Sequence, residues 1–232
     1  MRSIWDWVSR GWVVFRESFL TFIGWSVALG LVVLAVRAMA EQLFGWKPGE
    51  VVWPALIIVA SIAISAPMFG RALGGALKAK GDARSLCIAR FAVVALAVFC
   101  VLALVLPVPN WLVRQVDFRL DMPMWVMDSL YLLTAVVALL LVALLLPIGI
   151  LTSIASLGAR QSSPLLYPRL AYDAVRGARV KLGALALATV ALVSLGVVTY
   201  LGFLIAYPLM ICVWCVVCVD LVESNGREGR EA

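Results

Sequence analysis

The sequence predicts an all-α polytopic membrane protein, with six transmembrane helices and two interfacial amphipathic helices in a single membrane domain over residues 1–232. Three observations carry that prediction. First, 64% of the residues are hydrophobic and only 14% charged, whereas a soluble domain is nearer half apolar and a quarter charged. Second, the mean hydropathy is +1.06, and several uncharged runs approach the roughly 20 residues that cross about 30 Å of hydrocarbon. Third, the basic residues gather between alternate runs instead of spreading evenly.

Residues 1–17 read as the first interfacial helix. On a helix, Ile4, Trp5, Val8, Trp12, Phe15 and Phe19 share one face, and Arg2, Asp6, Arg10, Arg16 and Glu17 the other. Such helices lie in the headgroup plane with basic residues toward lipid phosphate. The six spans fall within 18–222. The first runs over about 19–36; Ala38-Met39-Ala40 resembles a cleavage site, but the run is long for a signal peptide and Arg37 interrupts it, so an uncleaved span is expected. The second covers about 51–70, after the turn residues Lys47, Pro48 and Gly49. The third is expected over about 91–108 and the fourth over about 124–150.

A second amphipathic stretch, near 168–181, places Arg169, Asp173 and Arg176 opposite Leu170, Ala174 and Ala178. The apolar run after it, 182–222, is about twice the length of one span at 1.5 Å per residue. It must fold back, with the hairpin near Tyr200-Leu201-Gly202 and Pro208 in the first turns of the sixth helix. Residues 223–232 read as a cytoplasmic tail.

Charge sets the expected orientation. Arg2, Arg10, Arg16, Arg71, Lys78, Lys80, Arg84, Arg90, Arg160, Arg169, Arg176, Arg179, Lys181, Arg227 and Arg230 fall on one side, and only Arg37, Lys47, Arg114 and Arg119 on the other. The positive-inside rule then makes both termini cytoplasmic. Trp46, Trp53, Trp111 and Trp125 fall at the outer boundary, as an aromatic belt would. The net charge of +6 is accounted for by these flanks facing anionic lipid, and no basic soluble domain exists to bind nucleic acid.

Little in the chain offers chemistry. There is no histidine, which removes histidine-ligated metals and the commonest general base. Cys212, Cys215 and Cys218 form a C-x-x-C-x-x-C string, but on a helix they drift around the surface and lie in an apolar run near its end. They are read as packing residues, with no metal and no cofactor. Asp128 and Asp220 lie near span ends, and no charge is central, which weighs against a proton relay. Tyr172-Asp173 and Gly81-Asp82 lie in basic loops, in the wrong order for an intramembrane aspartyl protease. No catalytic residue is assigned.

Small residues say more about packing. Gly70 and Gly74 make a G-x-x-x-G continued by Gly75, and Ala184, Ala188 and Ala191 recur at helical spacing. Such stripes let helices approach closely, and a partner within this chain is expected. Pro54, Pro67, Pro147 and Pro208 lie within spans.

APMFGRALGGALKAKGDARSL (66–86), WVVFRESFLTFIGW (12–25) and GVVTYLGFLIAYPLMICVWCVVCVDL (196–221) together resemble a group of uncharacterised bacterial six-helix inner-membrane proteins. That group has a glycine-rich span end, a basic Gly-acid turn, and a closing glycine hairpin with an apolar-Pro step, here Gly202 and Ala206-Tyr207-Pro208. The resemblance implies a six-helix fold and a bacterial cytoplasmic membrane, and no reaction. The expected function is an accessory or scaffold protein, not an enzyme, that binds membrane lipids or other membrane proteins at its cytoplasmic face. Arg10, Arg16, Arg71, Lys78, Lys80, Arg176, Arg179 and Lys181 are the lipid-facing basic candidates, and Gly70, Gly74, Ala184 and Ala188 the helix-packing ones. The rival expectation is a carrier or flippase for an uncharged or amphiphilic substrate, motivated by the prolines and by Thr21, Ser26, Ser61, Ser65, Thr189 and Ser194 within spans.

Overall fold

A computed structural model describes residues 3–44, 52–78, 88–105, 124–158, 171–173, 175–199 and 201–231, together with 108 and 113. The elements are helices α1 (Ile4–Glu17), α2 (Phe19–Phe44), α3 (Val52–Lys78), α4 (Ile88–Val105), α5 (Met124–Gly158), α6 (Arg179–Thr199) and α7 (Leu201–Glu231), with no strand among the described residues. Three helical stretches, Val126–Ser156, Arg179–Gly196 and Gly202–Leu221, are long and apolar enough to cross a membrane. A fourth follows if Ile4–Glu17 and Phe19–Val32, bent by 86°, are taken together. The six spans expected from the sequence are therefore matched only in part among the described residues.

Neighbouring helices close into a ring, α2–α3–α4–α5–α6–α7 and back to α2, with α7 reaching inward to α3 and α5 as well. Every residue from Met210 to Val219 is buried, on all sides of the helix. Five helices, α1, α2, α3, α5 and α6, share that burial. The hub of the fold is thus the inner half of α7.

Glycines set the closest crossings. α6 turns into α7 within the expected hairpin, between Thr199 and Leu201. There Gly196 lies so near the following helix that an added Cβ would meet Phe203 N at 2.8 Å. The Thr199 hydroxyl accepts from Gly202 N–H at 3.2 Å and tightens the corner. Gly183 faces Ala143 across the α5–α6 contact, and Gly149 faces Val98 across the α4–α5 contact. Because lipid is as apolar as leucine, such close backbone approach supplies the packing that the hydrophobic effect supplies in water.

Four helix ends overrun the sequence expectation: α2 continues to Phe44 and α7 to Glu231, through the stretch expected as a tail, and α3 and α5 are extended as well. α3 does not stop near Gly70 but continues to Lys78, with Ala72, Leu73, Ala76 and Leu77 buried. The added turns persist because α1 covers them, with Val14 Cγ1 3.0 Å from the place a Cβ on Gly75 would occupy. α5 runs on to Gly158, and its 35 residues make about 52 Å, well beyond the hydrocarbon core. Pro67, Pro147 and Pro208 all lie inside helices, and Pro54 is in the first turn of α3. The second amphipathic stretch is described only in part: residues 171–173 are helical, and a turn at Gly177-Ala178 precedes α6. Trp46 and Trp111 lie outside the described residues, as do the side chains of Trp53 and Trp125.

Candidate functional site

The chemistry-bearing side chains gather where α1 crosses the C-terminal ends of α3 and α7. Helix α1 starts on a capping box: Ser3 Oγ accepts from Asp6 N–H at 3.2 Å, and Asp6 Oδ2 accepts from Ser3 N–H at 3.0 Å. Each satisfies a donor that the first helical turn leaves open. The helix ends at Ser18, whose N–H donates to Phe15 O at 3.2 Å. Ser18 O then accepts from Phe22 N–H at 3.0 Å, so one residue joins two helices through an 86° elbow. Phe15 is fully buried in the corner, stacked on Phe22 and edge-on to Phe19 at centroid distances of 6.0 and 5.4 Å.

Arg10 Nη1 donates to Asp220 Oδ1 at 2.9 Å and Oδ2 at 2.8 Å, and Trp7 Nε1 donates to Oδ2 at 3.2 Å. The Asp220 side chain keeps only 11% of its exposure and Arg10 29%. A charge-assisted pair of this length, partly withdrawn from water, is stronger than a surface ion pair. Beside it Gly11 meets α7 so closely that an added Cβ would lie 2.6 Å from Val213 Cγ2 and 2.9 Å from Val213 Cα. Thus α1 is clasped to α7 rather than resting on the surface.

That clasp bears on two of the expectations. Arg10, expected to face lipid phosphate, is engaged by Asp220. The apolar face of α1 is also divided differently. Trp7, Gly11, Val14 and Phe15 are buried against the bundle, while Trp5 (80% exposed), Trp12 and Phe19 form an exposed flank. Helical geometry explains both, because the apolar arc of α1 is wide enough for one side to pack on α7 and the other to remain open.

The remaining candidates divide cleanly. Arg16, Arg71, Lys78, Arg176 and Arg179 are exposed. The packing of α3 on α1, where Gly75 meets Val14, and the antiparallel packing of α6 on α7 bring the last four to the same end as α1. Lys181 is half-buried and Lys80 lies outside the described residues. Gly70 is buried and Gly74 half-buried, while Ala184 and Ala188 are exposed. On α6 the close backbone approaches are made by Gly183, one residue from Ala184, and by Gly196.

Cys212, Cys215 and Cys218 are buried in the hub, and Cys215 Sγ donates weakly to Phe69 O at 3.8 Å. Among the described residues no group of three or more His, Cys, Asp or Glu is placed to hold a metal ion. Replacing all three cysteines with alanine is expected to destabilise the folded protein measurably, by about 1 kcal/mol per lost sulfur, as removal of a single buried methyl does. Thermal unfolding in detergent measures this; an unchanged transition would mean the hub relaxes around the lost volume.

Sequence reasoning missed the Arg10–Asp220–Trp7 clasp, since its partners are 210 and 213 residues apart. The one available signal was an acid deep in an apolar run with no nearby base. No family model, curated protein or solved structure matches the chain. What the fold defines is a class: a protein whose described residues are all-helical, with three or four helices among them long and apolar enough to cross a membrane.

Proposed function

We propose that the chain is a six-span integral protein of a bacterial cytoplasmic membrane with both termini inside, acting there as a non-enzymatic accessory or scaffold that binds lipid and partner proteins. The observation that carries this reading is the position of α1. It is held firmly at the end of the bundle that bears Arg71, Lys78, Arg176 and Arg179, and it turns Trp5 and Trp12 outward beside Arg16. Exposed tryptophans next to arginines suit the membrane–water boundary, where the ring sits among headgroups and the cation meets phosphate.

The carrier reading keeps a foothold in two features. Pro67, Pro147 and Pro208 lie inside three helices, and the buried Ser26 hydroxyl has no hydrogen-bond partner among the described residues. Against it, most buried hydroxyls turn back onto their own helix: Ser65 onto Ile62 O, Thr152 onto Ile148 O, Ser153 onto Gly149 O and Ser156 onto Ser153 O, as the half-buried Thr189 does onto Leu185 O. Hydroxyls used in this way do not line a polar route.

The test is purification of the full chain in mild detergent, with identification of the lipids and proteins that accompany it. Enrichment of anionic phospholipid and a recurring protein partner is expected. Recovery of the chain alone, with lipid in bulk proportion, overturns the reading. Movement of a fluorescent phospholipid across proteoliposomes would replace it with the carrier.

A further inference from the structure

We propose that the elbow between α1 and α2 is a binding site for one anionic phospholipid, its phosphate held by Arg16 and Arg71 and an acyl chain laid along α2. The proposal rests on the reading that this end of the molecule meets lipid, and narrows it to one site. Arg71 reaches across from α3 and donates from Nε to Ser18 Oγ at 3.3 Å, at the residue where the two helices join. That bond fixes the guanidinium while leaving its two terminal nitrogens available, and a guanidinium so anchored presents a planar fork that matches a phosphate.

Arg16 precedes the same corner by two residues and is exposed. It lies one helical turn from Trp12 on α1. Glu17 falls about 100° away around the helix. Among the described residues no carboxylate pairs with Arg16 or Arg71, in contrast to Arg10, whose charge Asp220 answers. One helix thus carries a neutralised arginine that locks it and an open one that does not.

Below the corner, α2 offers the apolar half of the site. Leu20 (83% exposed), Val27, Leu31 and Leu34 follow one another down a single exposed face, while Phe22, Ser26 and Leu29 pack inward. The stripe covers about 21 Å at 1.5 Å per residue, more than half of the roughly 30 Å hydrocarbon core, which is the depth that one acyl chain spans. Gly24 lies beside the stripe on the same open side, where an added Cβ would meet nothing within 4 Å. The 86° elbow matches the shape of the ligand, with the headgroup lying along α1 and the chain along α2. A soluble phosphate would use only the first half of this surface, and a neutral lipid only the second.

The experiment is native mass spectrometry of the full chain released from vesicles of phosphatidylcholine mixed with phosphatidylglycerol. One phosphatidylglycerol per chain is expected to persist through detergent exchange. Arg16→Gln with Arg71→Gln should weaken its retention at least roughly tenfold, as loss of a charge-assisted hydrogen bond implies. Arg114→Gln with Arg119→Gln removes the same charge at positions outside the basic candidates named for lipid and should leave retention unchanged. Gly24→Leu, which fills open space and leaves folding intact, should also weaken retention. Equal loss in the two arginine pairs would reduce the site to general attraction and overturn it, as would unchanged retention in Arg16→Gln/Arg71→Gln. Displacement of the lipid by inorganic phosphate or glycerol phosphate alone would show a site for a free anion and overturn the lipid assignment. Anionic lipid enriched on purification of both the wild type and Arg16→Gln/Arg71→Gln would sink this site while sparing the broader function.

Discussion

Arg10→Ala is expected to lower the stability of the folded protein by about 1–3 kcal/mol, the discounted range for leaving a partly buried carboxylate without its partner. Asp220 would lose both guanidinium bonds and keep the Trp7 N–H at 3.2 Å. Asp220→Ala should act similarly by stranding Arg10, whereas the double variant removes both charges and should be no less stable than Arg10→Ala alone. Thermal unfolding of the four proteins in one detergent gives the coupling directly. Simple addition of the two single effects would show that the pair does not act as a unit. Limited proteolysis near the elbow provides an independent reading, since α1 released from α7 exposes residues 16–19.

The second large effect is expected at Gly11. In an isolated helix Gly11→Ala would be favourable by about 1 kcal/mol. In the fold the new methyl group would fall 2.9 Å from Val213 N and Cα as well as 2.6 Å from Cγ2. Backbone atoms cannot swing aside as a side-chain end can, so the two helices must part. A net loss of about 2 kcal/mol is expected, within the range for overpacking a core, and Gly11→Leu should detach α1 altogether. Val213→Ala should rescue Gly11→Ala only in part, because it removes Cγ2 and leaves the backbone in place. A stabilised Gly11→Ala protein would show that helix propensity outweighs this contact and that α1 packs more loosely on α7.

Much of the helical framework was legible because apolar runs and glycine or proline breaks are local signals. The hairpin between Thr199 and Leu201 follows from a run too long for one crossing. The facing of the helices was not legible in the same way. A helix of a membrane protein is apolar toward its neighbours and toward lipid alike, so periodicity does not tell the two sides apart. Hence Ala184 and Ala188 were expected to pack and are exposed, while Gly183 beside them meets Ala143. The same limit hid the overrun of α3 past Gly70, whose added turns are covered by α1. Among the site residues, Arg16 and Arg71 were found by charge alone; that Arg71 anchors at Ser18, and that Arg10 is engaged by Asp220, depends on the tertiary fold.

The clasp between α1 and α7 also imposes an order on synthesis. A nascent chain emerges from its first residues, so Arg10 and Trp7 wait until some 210 further residues have been made before Asp220 exists to receive them. During that interval Val14 and Phe15 can already meet Gly75 of α3 and Phe22 of α2, but Trp7 and Arg10 lack their acceptor and Gly11 the helix it crosses. Fastening of α1 onto α7 is therefore the closing event of assembly, and a chain interrupted before α7 would be left with its first helix only partly held.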